Sequence, residues 1–139
     1  MTAFVREKRV RFHYCDPAGI IFYPNYLVLT NETVEDWFRD GLGTDFHALH
    51  QELGRGIPMR HMECDFMAAS RYGELLQYTL VVERVGNTSL AIRVSARCGD
   101  ELRYQARQTL VWADVQGPRP TPIEPEWRER FAAFMEETA

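Results

Sequence analysis

The sequence has few cysteines and no long apolar run, and each shortage excludes a class of protein. Its three cysteines, Cys15, Cys64 and Cys98, are odd in number and form no Cys-x-x-Cys pair, so they indicate neither a disulfide framework nor a zinc ribbon. No apolar stretch approaches the roughly 20 residues that a membrane-spanning helix needs. Because the N-terminal segment carries charges where a signal peptide has its apolar region, we expect a cytoplasmic protein with no transmembrane segment.

Basic residues are in the minority as well. The chain has 16 Lys and Arg against 20 Asp and Glu, a net charge of -4. A nucleic-acid-binding domain usually presents a basic face, so we expect no nucleic acid partner. With 139 residues, of which 45% are hydrophobic, the chain can build one core, and residues 1–139 are predicted to form a single domain.

Apolar periodicity predicts one main helix and five strands. Residues 5–14 alternate imperfectly, as a strand does. Pro24 suits the first position of a helix, and the apolar stripe that follows ends before Gly41 and Gly43. Four further strands are predicted around residues 62–68, 75–85, 90–98 and 102–112, with turn signals at 86–87 and 99–100. Residues 124–138 are predicted to form a C-terminal amphipathic helix.

The short turns favour antiparallel neighbours, so the pattern predicts an α+β fold in which a helix packs on an antiparallel sheet. Such a sheet leaves an edge strand with unpaired backbone groups. A second copy of the chain could pair with that edge, and we therefore expect a homodimer.

Asp16 is the most informative single residue. It lies in a bent loop before Pro17, and large apolar residues follow at positions 20–23. A carboxylate beside apolar walls is poorly hydrated, which disfavours its charged form and can raise its basicity. Asp before proline is also a common turn-capping residue. Spacing alone leaves both interpretations open.

The loop leads into the predicted helix, whose first N–H groups have no intrahelical acceptor and carry a partial positive charge. An acyl carbonyl against them would be polarised and its oxyanion stabilised. Pro24 has no N–H, so Tyr23 is the first donor candidate and Asn25 the second. Gly19 would allow a ligand to approach the backbone closely.

The run CDPAGIIFYPNY, from Cys15 to Tyr26, resembles the signature of the hot-dog-fold acyl-CoA thioesterases of the 4-hydroxybenzoyl-CoA thioesterase type, which the Tol–Pal-associated thioesterases share. The resemblance implies a hot-dog fold, in which a five-stranded antiparallel sheet wraps around one long helix. It also implies that two subunits form one continuous sheet, that dimers often pair into homotetramers, and that the active sites lie between subunits.

The resemblance further implies that Asp16 and Tyr23 are the catalytic residues. The carboxylate would either attack the thioester carbonyl to form a mixed anhydride or activate a water molecule, while the Tyr23 N–H polarises the carbonyl. Coenzyme A would leave as a thiol, so it is part of the substrate. Neither a metal nor another cofactor is expected.

The candidate substrate-binding residues are Gly19, Phe22, Asn25, Asn31 and His61. Asn31 stands where the 4-hydroxybenzoyl-specific enzyme has an aspartate that meets the substrate hydroxyl, and Asn can form a hydrogen bond there without a charge. His61 is included because strand alternation gives it the same parity as the apolar residues at 57 and 59.

Two other functions use the same fold. A hot-dog hydratase or dehydratase typically needs a histidine together with a carboxylate, and no histidine accompanies Asp16 in its loop. A non-catalytic acyl-CoA-binding module would keep the pocket but would not need Asp16. Both remain alternatives to a thioesterase.

Overall fold

The computed structural model describes residues 3–136, which fold around one long helix. The helices are α1 (Pro24–Asp36), α2 (Phe46–Gln51) and α3 (Pro125–Ala132). The strands are β1 (Phe4–Arg9), β2 (Arg55–Gly56), β3 (Met59–Phe66), β4 (Leu75–Val85), β5 (Ser89–Cys98), β6 (Glu101–Val111), β7 (Ala113–Asp114) and β8 (Arg119–Pro120).

The main sheet has five antiparallel strands in the order β1-β4-β5-β6-β3. Tight turns join β4 to β5 and β5 to β6, at the positions where the sequence carries its Gly-Asn and Gly-Asp signals. A small sheet, β2-β7-β8, lies beside it. The prediction of an α+β fold, with a five-stranded antiparallel sheet and a long helix, is confirmed.

Helix α1 starts at Pro24 and buries one face against the sheet. Two threonines lie on this face, and each donates its hydroxyl to the backbone carbonyl four residues earlier, Thr30 to Tyr26 at 2.7 Å and Thr33 to Leu29 at 2.8 Å. These bonds satisfy polar groups that would otherwise be costly to bury. The buried face of α1 comprises Tyr26, Leu29, Thr30, Thr33 and Val34.

A π-helical turn, Trp37–Gly41, follows α1 and ends the long helix. The Leu42 N–H donates to the Trp37 carbonyl at 2.8 Å. Gly41 is required there by space, because a Cβ at this position would lie 2.8 Å from the Trp37 ring. The predicted stop at Gly41 thus has a packing cause.

Two predicted elements are shorter in the structure. The first strand was predicted to reach residue 14, but β1 ends at Arg9, and a 3-10 turn, Phe12–Tyr14, carries the chain towards Asp16. The C-terminal helix ends at Ala132 rather than at 138, and residues 137–139 lie outside the described part of the chain.

Strand β3 forms one edge of the main sheet, where it pairs with β6 on one side and, within residues 3–136, with no strand on the other. Apolar side chains stand at its two ends, with Met59 50% exposed and Phe66 47% exposed. None of the helices among the described residues has the length and apolar character needed to cross a bilayer.

Candidate active site

Asp16 lies at the tip of a short hairpin that leads directly into α1. The Asp16 N–H donates to the Ile20 carbonyl at 2.9 Å, and the chain reverses through Gly19, whose φ of 80° is one that glycine adopts without strain. One carboxylate oxygen, Oδ1, accepts the Ala18 N–H at 2.9 Å. The other oxygen, Oδ2, has no hydrogen-bond partner within residues 3–136. Asp16, which is half-buried, therefore caps its turn with one carboxylate oxygen only.

Backbone hydrogen bonds tie this hairpin to the loop of residues 69–74. The Ile21 N–H donates to the Ser70 carbonyl at 2.8 Å, and the Tyr72 N–H donates to the Gly19 carbonyl at 3.0 Å. Ser70 is fully buried, and its hydroxyl accepts the Tyr26 phenol of α1 at 2.8 Å. The position of Asp16 thus depends on a loop that is distant in sequence.

A partly buried ion pair between Arg103 and Glu74 stabilises the 69–74 loop. Arg103 of β6, 7% exposed, donates to the Ala69 carbonyl at 2.9 Å and to the Glu74 carboxylate at 2.8 Å. The Arg103 guanidinium, followed by the Arg71 N–H, lowers the pKa of the Glu74 carboxyl from its ordinary 4.5 to about 2. The pair is therefore ionised at neutral pH.

The helix start offers one free backbone donor. The Tyr23 N–H has no acceptor among the described residues. The Asn25 N–H, the second predicted donor, is engaged with the Phe22 carbonyl at 2.8 Å, and the Asn25 side chain donates to the Tyr14 carbonyl at 2.9 Å. Asn25 thereby ties the hairpin to the helix, and of the two predicted donors only the Tyr23 N–H lacks an acceptor within residues 3–136.

A cleft of about 220 Å³ opens between the helix start and the end of β3. Its lining includes Ile21, Tyr23, Tyr26 and Phe66. The Tyr23 ring stands edge-on to Phe66, with centroids 5.9 Å apart. Phe22, a predicted substrate contact, is half exposed and packs edge-on to Tyr23 outside this lining.

Cys15 adjoins Asp16 and is the nearest alternative nucleophile in the hairpin. Burial raises the pKa of its thiol, and the negative charge of Asp16 raises it further. A thiol with a raised pKa stays protonated at neutral pH and is a poor nucleophile. Of these two neighbouring side chains, the Cys15 thiol is thus the weaker candidate nucleophile.

A second, larger cavity of about 540 Å³ lies farther along α1. Asn31 is exposed at this cavity, about 12 Å along the helix from Tyr23 at 1.5 Å per residue. Within one chain, the structure therefore separates Asn31 from Asp16 and Tyr23. The cavity is lined by Asn31, Val34, Phe46, His50, Gly56, Ile57, Pro58, Met59, Gln108, Leu110, Ala113, Asp114, Val115 and Pro118.

His61 faces away from both cavities. The register of β3 shifts between Met59 and His61, so Met59 pairs with the inward-facing Leu110 while His61 pairs with Thr109 on the outer face. The extra residue of a β-bulge reverses the alternation that the parity argument assumed. His61 is exposed, and its nearest partner is Glu63, at 3.4 Å.

Sequence reasoning did not single out Gln108 or Arg103. Gln108 gives a signal, because it stands among the apolar residues of an alternating strand. Arg103 gives none, because its partners lie about 30 residues away along the chain. Within residues 3–136, no group of three or more His, Cys, Asp or Glu side chains is arranged to hold a metal ion.

Comparisons with known proteins agree on the fold. Similar solved structures include a thioesterase-superfamily protein from Jannaschia, with 20% identity, a TM-score of 0.90 and coverage of 97% of this chain and 94% of that one. The dynemicin thioesterase has 18% identity, a TM-score of 0.87 and coverage of 98% and 99%. A 1,4-dihydroxy-2-naphthoyl-CoA thioesterase from Synechocystis has 17% identity, a TM-score of 0.84 and coverage of 94% and 96%.

A comparison with curated proteins finds no match. The family model described as the thioesterase-like superfamily matches residues 10–131, a span that runs from the end of β1 through α3 and includes the Asp16 hairpin, the 69–74 loop and both cavities. On this match, the chain belongs to the thioesterase-like superfamily.

Proposed function

We propose that the protein hydrolyses acyl-CoA thioesters to a free acid and coenzyme A, with Asp16 and the Tyr23 N–H as its catalytic groups. One observation carries the proposal. The hairpin that leads into α1 carries Asp16, whose Oδ2 has no hydrogen-bond partner within residues 3–136, and at the helix start the Tyr23 N–H has no acceptor there either. Thioester hydrolysis needs these two groups, a base or nucleophile and an oxyanion donor.

The reaction follows from these roles. The thioester carbonyl oxygen accepts the Tyr23 N–H, which makes the carbonyl carbon more electrophilic. Asp16 then either adds to that carbon directly or removes a proton from a water molecule that adds to it. The C–S bond breaks as the tetrahedral intermediate collapses, and the sulfur leaves as coenzyme A thiolate. In the first route, water then hydrolyses the mixed anhydride and regenerates the carboxylate.

Family membership supports thioester hydrolysis in general, because the similar structures are themselves named as thioesterases. The Synechocystis enzyme acts on an acyl-CoA. We extend the acyl-CoA substrate class to this chain, on the strength of the Asp16 hairpin.

We also propose that the working unit is a homodimer formed through β3, whether or not two dimers pair into a tetramer. Met59, at one end of this edge strand, lines the larger cavity, and Phe66, at the other end, lines the cleft beside Tyr23. Antiparallel pairing of β3 with a second copy of itself brings the Phe66 end of one copy to the Met59 end of the other. The cleft beside Tyr23 of one copy, at the end of its Asp16 hairpin, would then face the cavity with Asn31 of its neighbour.

The test is thiol release from a panel of aromatic, short, branched and long acyl-CoA substrates, by wild type and Asp16→Asn. An asparagine oxygen can still accept the Ala18 N–H, so the turn is kept and only the reactive carboxylate is lost. We expect kcat to fall roughly 10²–10⁴-fold with unchanged thermal stability. Asp100→Asn, in the exposed β5–β6 turn, is the matched control and should keep full activity.

The same panel separates the alternatives. Full activity of Asp16→Asn would mean that Asp16 only caps its turn. Saturable acyl-CoA binding without thiol release by the wild type would indicate a binding module. Consumption of an enoyl-CoA double bond without thiol release would indicate a hydratase.

A further inference from the structure

Gln108 places a buried amide in the wall of a mostly apolar cavity, whose other polar side chains are Asn31, His50 and Asp114. It lies on the inner face of β6 between Ala106 and Leu110, and it is 7% exposed. Within residues 3–136, the one hydrogen bond of its Nε2 is to the Met62 sulfur, at 3.9 Å, and sulfur is a weak acceptor. Its oxygen has no hydrogen-bond partner within residues 3–136. The amide therefore has capacity to donate and to accept that the protein itself leaves unused.

Buried polar side chains in folded proteins are nearly always paired, and each exception calls for a ligand, a water or a functional reason. Gln108 lines the cavity of about 540 Å³, which is within the range of small-molecule sites. The walls beside it are apolar, with Val34, Phe46 and Leu110 among them. The cavity therefore fits an occupant that is mostly apolar and carries one hydrogen-bonding group.

An acyl-CoA offers two parts that could occupy this cavity, the pantetheine arm and the acyl group, and they differ in their polar groups. The pantetheine arm carries two amides and a hydroxyl along its length, and one buried amide cannot match them. An acyl group with a single polar substituent does match. Among the other polar side chains of the lining, Asn31 and His50 are exposed and lie at the mouth of the cavity. Asp114 is half-buried, and its Oδ1 accepts the Gln116 N–H at 2.9 Å.

We propose that Gln108 selects acyl groups that carry a hydroxyl or oxo group in their distal part, because its amide can donate to either and accept from a hydroxyl. This inference rests on the proposed thioesterase function and on the β3 dimer that brings this cavity to the Tyr23 cleft of the neighbouring copy, and it names the substrate class.

The experiment compares kcat/KM for matched pairs, 4-hydroxybenzoyl-CoA with benzoyl-CoA and 8-hydroxyoctanoyl-CoA with octanoyl-CoA. We expect wild type to prefer the hydroxylated member of at least one pair by about tenfold or more, because the unsubstituted member leaves the buried amide unpaired. Gln108→Met keeps the length of the side chain without its polar atoms, and it should lose that preference. Gln105→Met, on the outer face of the same strand, is the matched control and should keep it.

Thermal unfolding without ligand gives a second measurement. Gln108→Met should unfold at the same temperature as wild type or higher, since an amide whose hydrogen bond is to a weak sulfur acceptor is replaced by an apolar group of similar size. If Gln108 were needed only for folding, Gln108→Met would unfold at a lower temperature than wild type and would lose activity equally towards every substrate.

Three results would overturn the inference. The wild type could show no preference for the hydroxylated substrate, or Gln108→Met could keep that preference. Gln108→Met could also lose kcat/KM equally for both members of each pair, which would indicate a contact with pantetheine. If wild type releases no thiol from any acyl-CoA, the proposed function fails instead. The role of Gln108 would then be decided by the ratio of Kd values for the two members of each pair, measured for wild type and for Gln108→Met.

Discussion

Replacing Arg103 with methionine should destabilise the protein and loosen the loop that holds Asp16. The Arg103 guanidinium donates to the Ala69 carbonyl, to the Ser70 hydroxyl at 3.3 Å, and to both oxygens of Glu74, at 2.8 and 3.2 Å. Methionine fills much of the same space but donates to none of them. The variant thus leaves a carboxylate and a carbonyl without their main donor.

The size of the effect follows from how much water reaches the pair. Breaking a fully buried ion pair costs about 3–5 kcal/mol, because the remaining charge has no partner. Arg103 is 9% exposed in its side chain, but Glu74 is 29% exposed, so water partly replaces the lost donor. We therefore expect a loss of about 2–4 kcal/mol in the free energy of unfolding. For a chain of this length, that loss lowers Tm by roughly 6–15 °C.

Urea unfolding and calorimetry measure the loss, and kcat/KM reports its effect on the Asp16 hairpin. Arg97→Met is the control, because Arg97 is exposed on the neighbouring strand and makes one long bond, at 3.4 Å, to the Asp100 carbonyl. It should change stability by less than about 0.5 kcal/mol. Arg103→Lys, which restores the charge without the bidentate geometry, should fall between Met and wild type. If Arg103→Met is as stable as Arg97→Met, the ion pair does not hold the loop.

The remaining predictions concern the dimer, acid stability and the end of the long helix. In analytical ultracentrifugation, the wild type should sediment with a mass of at least twice the chain mass of 16.2 kDa. The double variant Met59→Asp, Phe66→Asp should sediment as a monomer and lose activity. A monomeric wild type would contradict the proposed site between two copies. In the folded protein the pKa of the Glu74 carboxyl is about 2, below its ordinary 4.5, so the stabilisation it contributes is present above about pH 4.5 and is lost as the pH falls through about 2. Glu74→Gln should remove that part of the pH dependence of stability. An acid unfolding curve unchanged by Glu74→Gln would refute this prediction. Gly41→Ala should cost about 1–3 kcal/mol in calorimetry, because its Cβ meets the Trp37 ring at 2.8 Å, and a neutral effect would show that the ring can move aside.

Local patterns predicted most of the sheet and the helix. Alternating apolar residues located the strands that became β4, β5 and β6, and Gly-Asn and Gly-Asp marked the turns between them. The helix start at Pro24 followed from its missing N–H. These features depend on neighbours in sequence, so the sequence carries them directly.

Features that depend on distant contacts were missed or misplaced. The bulge between Met59 and His61 reverses strand parity, and alternation alone gives no sign of it. Asn31 and Asp16 lie apart within one chain, so the prediction that both meet one substrate requires two chains and stays a prediction. Arg103 supports the Asp16 hairpin through the 69–74 loop, a link that exists only after the strands have paired.

The Tyr23 amide proton offers the most direct measurement of the central claim, that one substrate carbonyl meets both Asp16 and the helix start. In Asp16→Asn, which retains unreacted acyl-CoA, two-dimensional NMR can follow the Tyr23 N–H while substrate is added. We predict a saturable downfield shift of this proton, while the Asn25 N–H, which is already bonded to the Phe22 carbonyl, stays nearly unchanged. Saturable binding that leaves the Tyr23 proton where it was would contradict the account.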